Sequence, residues 1–219
     1  MKTAIFDLDG TLADTLFDLA DATNYGLEKL GYPTHPYESY KQFVGNGVQK
    51  LCYRALPEDK KDETDKLLEI FSAYYDKHFL DKTHLYDGMK ETIDILSANG
   101  VILAAATNKP HNFAVRIIAA LLPDTDFIKI LGGCPERPKK PAPDIINEIV
   151  SSLPEGENTV YMIGDSNVDI MTAKNSGIAS IGCTWGFRSR EELTDAGADF
   201  IAERCTDIAE YILGDNISK

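Results

Sequence analysis

The sequence predicts an α/β fold in which a doubly wound parallel sheet carries an inserted helical lobe. Short apolar runs recur along the chain, and several stop abruptly on a polar residue: Ala4–Phe6 at Asp7, Val101–Ala106 at Thr107, and Thr159–Ile163 at Gly164-Asp165. From Asp87 onward such runs alternate with segments of helical period, the pattern of right-handed βαβ crossovers. The stretch from Tyr37 to Leu80 departs from this alternation and reads as helical throughout. In Rossmann-like sheets of this kind the ligand sits outside the carboxyl ends of the strands, where these runs leave their polar groups.

Taken in order, Ala4–Phe6 is the first strand, and Leu12, Leu16, Leu19, Ala20, Leu27 and Leu30 mark a first helix that stops at Gly31 with Pro33 beyond. Apolar stripes through Val48, Leu51 and Leu56, then Leu67, Leu68, Phe71 and Tyr74, build the lobe. Its stalks are Asp14–Thr15 and Leu85–Tyr86, so residues 1–14 and 86–219 form the core domain and residues 15–85 the helical one. The helix Met89–Ser97 ends at Asn99-Gly100, and the strand Val101–Ala106 follows. Next come a helix over about 112–122, a strand over Phe127–Leu131 and a proline-rich loop from Pro135 to Pro143. A helix over 144–153, the strand Thr159–Ile163, the helix Val168–Ser176 and the strand Ser180–Cys183 continue the alternation. Ser189 and Glu192 are spaced as a capping box, and Phe200–Ile201 with a helix after Thr206 completes the fold.

Composition narrows the function. A chain of 219 residues with 43% hydrophobic residues can bury a core without staples. A net charge of −13 argues against a nucleic-acid partner and requires that any anionic ligand be held by local cations or a metal. The four cysteines show no C-x-x-C spacing, which points to a reducing compartment without a zinc site. With no signal peptide after Met1 and no apolar run of spanning length, the protein is expected in the cytoplasm, with no membrane partner, as a monomer or homodimer.

The chemistry concentrates at the strand ends. Asp7 and Asp9 lie two apart, so in extended backbone both side chains face one side, and a cation between them relieves their repulsion. Gly10 permits a tight turn, and Thr11 offers a hydroxyl and an N–H there; a plain solvated turn has the same composition. Asp165 completes a carboxylate set suited to a hard cation such as Mg²⁺, and Asp169 either ligates or braces it. Thr107 and Asn108, between a strand end and a helix start, can hold a phosphate oxygen or simply cap the helix. In the loop containing Arg137, Lys139 and Lys140, flanking prolines stiffen the backbone and can aim a lysine inward.

Together these stretches resemble the signature of the haloacid dehalogenase superfamily, in its phosphatase branch: Asp7–Thr11, Thr107, Lys140 ahead of Pro141-Ala142-Pro143, and Gly164–Asp169, in that order. The resemblance covers essentially the whole chain and makes residues 15–85 a cap domain. It implies Asp7 as nucleophile and Asp9 as general acid and base, with Thr107 and Lys140 stabilising the transferring phosphoryl group. It also implies Mg²⁺ held by Asp7, the Asp9 carbonyl and Asp165. Val44–Val48 and Thr184-Trp185-Gly186-Phe187 look like phosphoglycolate phosphatases, which makes 2-phosphoglycolate the leading small phosphate ester. Asn46, Lys50 and Arg54 in the cap are the candidates for reading its leaving group.

A sugar-phosphate mutase, a pyrophosphatase or a nucleotidase of the same superfamily would use the same residues. A receiver-like signalling module shares the acids, Thr and Lys but lacks an inserted lobe. No G-x-G-x-x-G follows a strand, which disfavours a dinucleotide site.

Overall fold

A computed structural model describes residues 1–214. Six parallel strands form the central sheet in the order β5-β4-β1-β6-β7-β8. They are β1 (Lys2–Phe6), β4 (Ile102–Pro110), β5 (Phe127–Gly133), β6 (Thr159–Gly164), β7 (Ala179–Cys183) and β8 (Phe200–Ala202). β1 lies between β4 and β6, with Phe6 opposite both Ala105 and Ile163. The chain leaves β1 toward β4 and β5 and later returns on its other side through β6, so the strand order reverses at β1. In such sheets that reversal opens a crevice at the strand ends. Alternation along β1 places Ala4 and Phe6 in one buried apolar cluster and Ile5 in a second, so both faces of the sheet are covered.

Between β2 (Ala13–Asp14) and β3 (His84–Leu85) the chain forms α1 (Leu16–Leu30), α2 (Tyr37–Phe43), α3 (Val48–Ala55), a 3-10 turn over Glu58–Glu63, and α4 (Thr64–His78). The first helix starts four residues later than the leucine spacing predicts. Ala13 and Asp14 pair antiparallel with Leu85 and His84, and the Asp14 carboxylate accepts the Leu16 N–H at 3.0 Å. Pairing with a partner 70 residues away thus overrides a local helical pattern. Helices α5 (Met89–Ala98), α6 (His111–Leu121), α7 (Asp144–Val150), α8 (Asn167–Ser176), α9 (Arg190–Asp195) and α10 (Cys205–Gly214) follow the strands. The Ser189 hydroxyl accepts the Glu192 N–H at 3.3 Å, but Glu192 turns away to accept the Asn167 N–H, so only half of the expected capping box forms.

A second departure shapes the site. β4 does not stop at Ala106 but runs on to Pro110, and Thr107, Asn108 and Lys109 are all buried within it. The ladder to β5 shifts register beyond Ala106 and resumes at Pro110 opposite Gly133. Two glycines on β5 permit the approach: a Cβ on Gly132 would stand 2.7 Å from the Lys109 carbonyl oxygen, and one on Gly133 2.9 Å from that of Asn108. Thr107 is therefore not a helix cap.

The helical insertion packs on the core through α4 and α6. Tyr75 and Phe79 meet Phe113 with ring centroids 4.9 and 5.7 Å apart, and Arg116 lies over Phe79 while bonding Asp76. Asp18 on α1, 2% exposed, anchors the returning stalk: it accepts the N–H groups of Lys82 and Thr83 and the Thr83 hydroxyl, the last at 2.7 Å. Replacing Asp18 by alanine would leave those buried donors unpaired. We expect Asp18→Ala to lower unfolding stability by about 3 kcal/mol, read as a drop in thermal midpoint.

Candidate active site

At the crevice the end of β1 turns sharply. The Gly10 N–H donates to the Ala13 carbonyl, and Gly10 adopts φ +86°, a conformation that glycine reaches without strain. Asp7 caps its own turn by accepting the Leu8 N–H at 2.7 Å. Lys140, buried in the proline-rich loop, reaches Asp7 Oδ1 at 3.1 Å, Asp169 Oδ1 at 2.6 Å and the Ala106 carbonyl at 2.8 Å. Asp169 spends its other oxygen on the Ser166 N–H and hydroxyl, so both its oxygens brace neighbours at the start of α8. Asp165 Oδ2 accepts the Phe187 N–H at 2.7 Å.

Asp7, Asp165 and Asp169 bring one oxygen each to within 4.8 Å of one another, and all are buried. One lysine sits among these three acids, leaving an excess of buried negative charge that a divalent cation would balance. Steric packing agrees: a Cβ on Gly10 would fall 2.3 Å from Asp165 Oδ2, and one on Gly186 2.3 Å from the Asp165 Cβ. The residues fit a hard cation held by Asp7 and Asp165, with Asp169 holding Lys140. Asp9 lies outside this carboxylate trio; its side chain is drawn off by the Thr15 hydroxyl at 2.7 Å and Lys109 Nζ at 2.8 Å.

The electrostatics follow the burial. Asp7 is raised to about 6 by burial, an effect that Lys140 opposes and Asp169 reinforces. Burial, with Asp169 and Asp7 beside it, drives Asp165 well above the usual carboxylate range. Burial disfavours the charge on Lys109, but Asp9 and Tyr75 outweigh it and hold that ammonium above the ordinary lysine range.

Asp7 and Asp9 open onto a cavity of about 400 Å³ between sheet and insertion. Asp7, Asp9, Thr107, Asn108 and Lys109 form its polar end, and Leu19, Val44, Val48, Leu51, Phe71 and Phe113 are among its apolar walls. Thr107 lies against Asp7, where its hydroxyl bond favours the carboxylate. Asn108 lines the cavity, and its side chain also has a structural task. Its amide donates to the Gly45 and Lys140 carbonyls and accepts the Lys140 N–H, tying the insertion to the core. Thr11 is fully buried, with its hydroxyl unpaired.

Asn46, Lys50 and Arg54 do not reach this cavity; they line a separate surface opening with Tyr53 and Lys139. Arg54 is occupied with the Gln42 and Phe43 carbonyls and the Asn46 side chain. A polar side chain on a short helix carries no sign of which face the helix turns to the site. Lys109 stands two residues beyond Thr107, but only the extension of β4 seen in the structure puts the two on one strand, so nothing in the sequence signals it. Trp185 is more than core packing, since its indole N–H donates to the Thr11 carbonyl at 3.1 Å.

Residues 4–183 match the family described as haloacid dehalogenase-like hydrolase. The chain belongs to that family. It is 34% identical over 219 residues to a phosphoglycolate phosphatase of Vibrio parahaemolyticus, covering 97% of this chain and 96% of the relative. A Vibrio cholerae phosphoglycolate phosphatase is 32% identical over 220 residues, covering 97% of each. Among solved structures, a candidate phosphoglycolate phosphatase from Lactobacillus delbrueckii subsp. bulgaricus superposes with a TM-score of 0.90 at 34% identity, covering 97% of this chain and 98% of that one. As a family member the protein is a hydrolase with an α/β core, and the solved relatives span its full described fold.

The raised acids make cation binding pH-dependent. A folded Asp7 at about 6, against an ordinary 3.8, keeps a proton that the unfolded chain has lost, so this group withdraws stability as pH rises through that window. A cation must displace that proton. Calorimetric titration of Mg²⁺ should therefore show proton release and an affinity that falls as pH drops below about 6.

Proposed function

We propose that this protein is a Mg²⁺-dependent phosphatase of small phosphate monoesters, with 2-phosphoglycolate as substrate, and that residues 15–85 act as a cap over residues 1–14 and 86–219. The observation that carries the reading is the buried trio Asp7, Asp165 and Asp169, with Lys140 bridging Asp7 and Asp169, and with Asp7 lining a cavity large enough for a small ester. The curated relatives named above act on phosphoglycolate by name, and they match nearly the whole chain.

Asp7 attacks phosphorus and forms an aspartyl-phosphate as the ester oxygen departs. Asp9 faces the same cavity and donates a proton to that leaving oxygen; it then takes a proton from the water that attacks phosphorus and releases Asp7. Lys140 and Thr107, both against Asp7, stabilise charge on the transferring group. Mg²⁺, held by Asp7, Asp165 and the Asp9 carbonyl, would neutralise the phosphate oxygens and the buried acids together. The apolar walls exclude water while the cap is shut. Among the described residues no helix is long and apolar enough to cross a membrane, and the four cysteines are free, which supports a cytoplasmic enzyme.

Phosphate release should be measured across a panel of esters with and without Mg²⁺. We expect turnover on 2-phosphoglycolate, none with chelator, and free phosphate without an isomerised ester. Asp7→Asn should lower kcat by about 1,000-fold or more while the thermal midpoint stays near that of the native protein. Near-native turnover in that variant would exclude Asp7 as nucleophile.

A further inference from the structure

We propose that Lys109 is the specificity-determining residue of this site, and that it selects esters whose leaving group carries a carboxylate one carbon from the ester oxygen. The proposal rests on the reading of Asp7 and Asp9 as the hydrolytic pair. Lys109 is the single lysine or arginine among the described residues that line the cavity, and its side chain is only 2% exposed. An ammonium has three N–H donors. Its side-chain partners among the described residues are Asp9 Oδ1, at 2.8 Å, and Tyr75, which leaves a third donor for a ligand. On its other side Nζ stands over the Tyr75 ring, 5.0 Å from the centroid. Tyr75, 1% exposed, also lines the cavity, and its hydroxyl has no partner besides that lysine. An unspent donor on a buried ammonium is costly unless a ligand supplies the acceptor.

Position identifies the acceptor. Asp9 serves the ester oxygen of the leaving group, and Lys109 touches Asp9. A group bound by Lys109 must therefore lie one short link from that oxygen, and in 2-phosphoglycolate a single methylene separates ester oxygen from carboxylate. Charge gives the same answer. A buried ammonium favours an anionic group beside it, and a substrate carboxylate gives Lys109 an acceptor beyond Asp9. A neutral alcohol would offer it no such charge, so the site favours the acid over neutral leaving groups.

The test compares 2-phosphoglycolate with ethyl phosphate, an ester of similar size without the carboxylate, in the native protein and in Lys109→Met. We expect the ratio of kcat/KM for the two esters to fall about 100-fold in Lys109→Met, chiefly through a higher KM for 2-phosphoglycolate, and Lys109→Arg to restore part of it. Equal losses on both esters, with the ratio unchanged, would make Lys109 a positioning residue for Asp9 and overturn the proposal. The native protein supplies a check that needs no variant to fold: lengthening the spacer by one methylene, in 3-phosphooxypropanoate, should lower kcat/KM by about 10-fold or more. Equal use of both lengths would overturn the proposal while leaving the phosphatase reading intact. Release of phosphate from none of the three esters would sink both.

Discussion

The structure depends on one electrostatic constraint: three carboxylates are buried together at the end of the central strands with a single lysine among them. Removing a charge from water costs several kcal/mol unless partners replace the solvent. Here the partners come from four separate parts of the chain. Lys140 enters from the proline-rich loop, the Leu8 and Phe187 N–H groups come from the backbone, and Ser166 supports Asp169 from the start of α8. Even so, negative charge remains in excess, and Asp7 and Asp165 are both pushed up by burial. The fold therefore maintains a cost that a bound cation would relieve. A flexible scaffold would let the acids separate into solvent. A parallel sheet whose strand ends are fixed by two neighbouring ladders does not.

Close packing enforces the same constraint. Gly10, Gly164 and Gly186 surround the acids, and at each a Cβ would collide with Asp165 or Asp169 at less than 2.5 Å. The segment Thr184–Phe187 is thus a buttress: Gly186 lies against Asp165, Phe187 donates to it, and Trp185 holds the carbonyl of Thr11 in the turn after Asp7. Hydrogen bonds and steric contacts converge on the same carboxylates from β7 and from β1.

Legibility in the sequence followed the range of the physics. Strand ends bearing Asp7, Thr107 and Asp165 could be read directly, because apolar runs that stop on polar groups are local patterns and the sheet assembles them at one edge. Boundaries set by distant partners could not. Ala13–Asp14 looked helical and became strand because His84–Leu85 pairs with it. The extension of β4 through Lys109 depends on Gly132 and Gly133 of another strand, and nothing between Ala106 and Pro110 announces it. That misreading hid Lys109, since a turn scrambles side-chain direction whereas a strand keeps residues 107 and 109 on one side. The cap residues Asn46, Lys50 and Arg54 failed for a related reason. Charge shows that a side chain prefers water, not which opening it faces.

The two sides of the cap–core contact differ in kind, and the difference explains where a ligand's charge must act. At α4 and α6 the contact is made by aromatic rings, with Arg116 lying over Phe79 and pairing with Asp76. Across the cavity, Asn108 and Arg188 reach the Gly45 and Val44 carbonyls, so the loop is held by its backbone and not by its side chains. That side is less settled: Arg188 Nη1 is buried without a partner, and burial together with Arg188 lowers the pKa of Arg54. Neither contact puts a cation into the chamber itself. Between them, Lys109 on the core meets Tyr75 on the cap, joining the acid that handles the leaving group to the element that covers it. An anion bound there touches both bodies at once, which is the geometry by which binding energy far from phosphorus can be spent on closing the site around it.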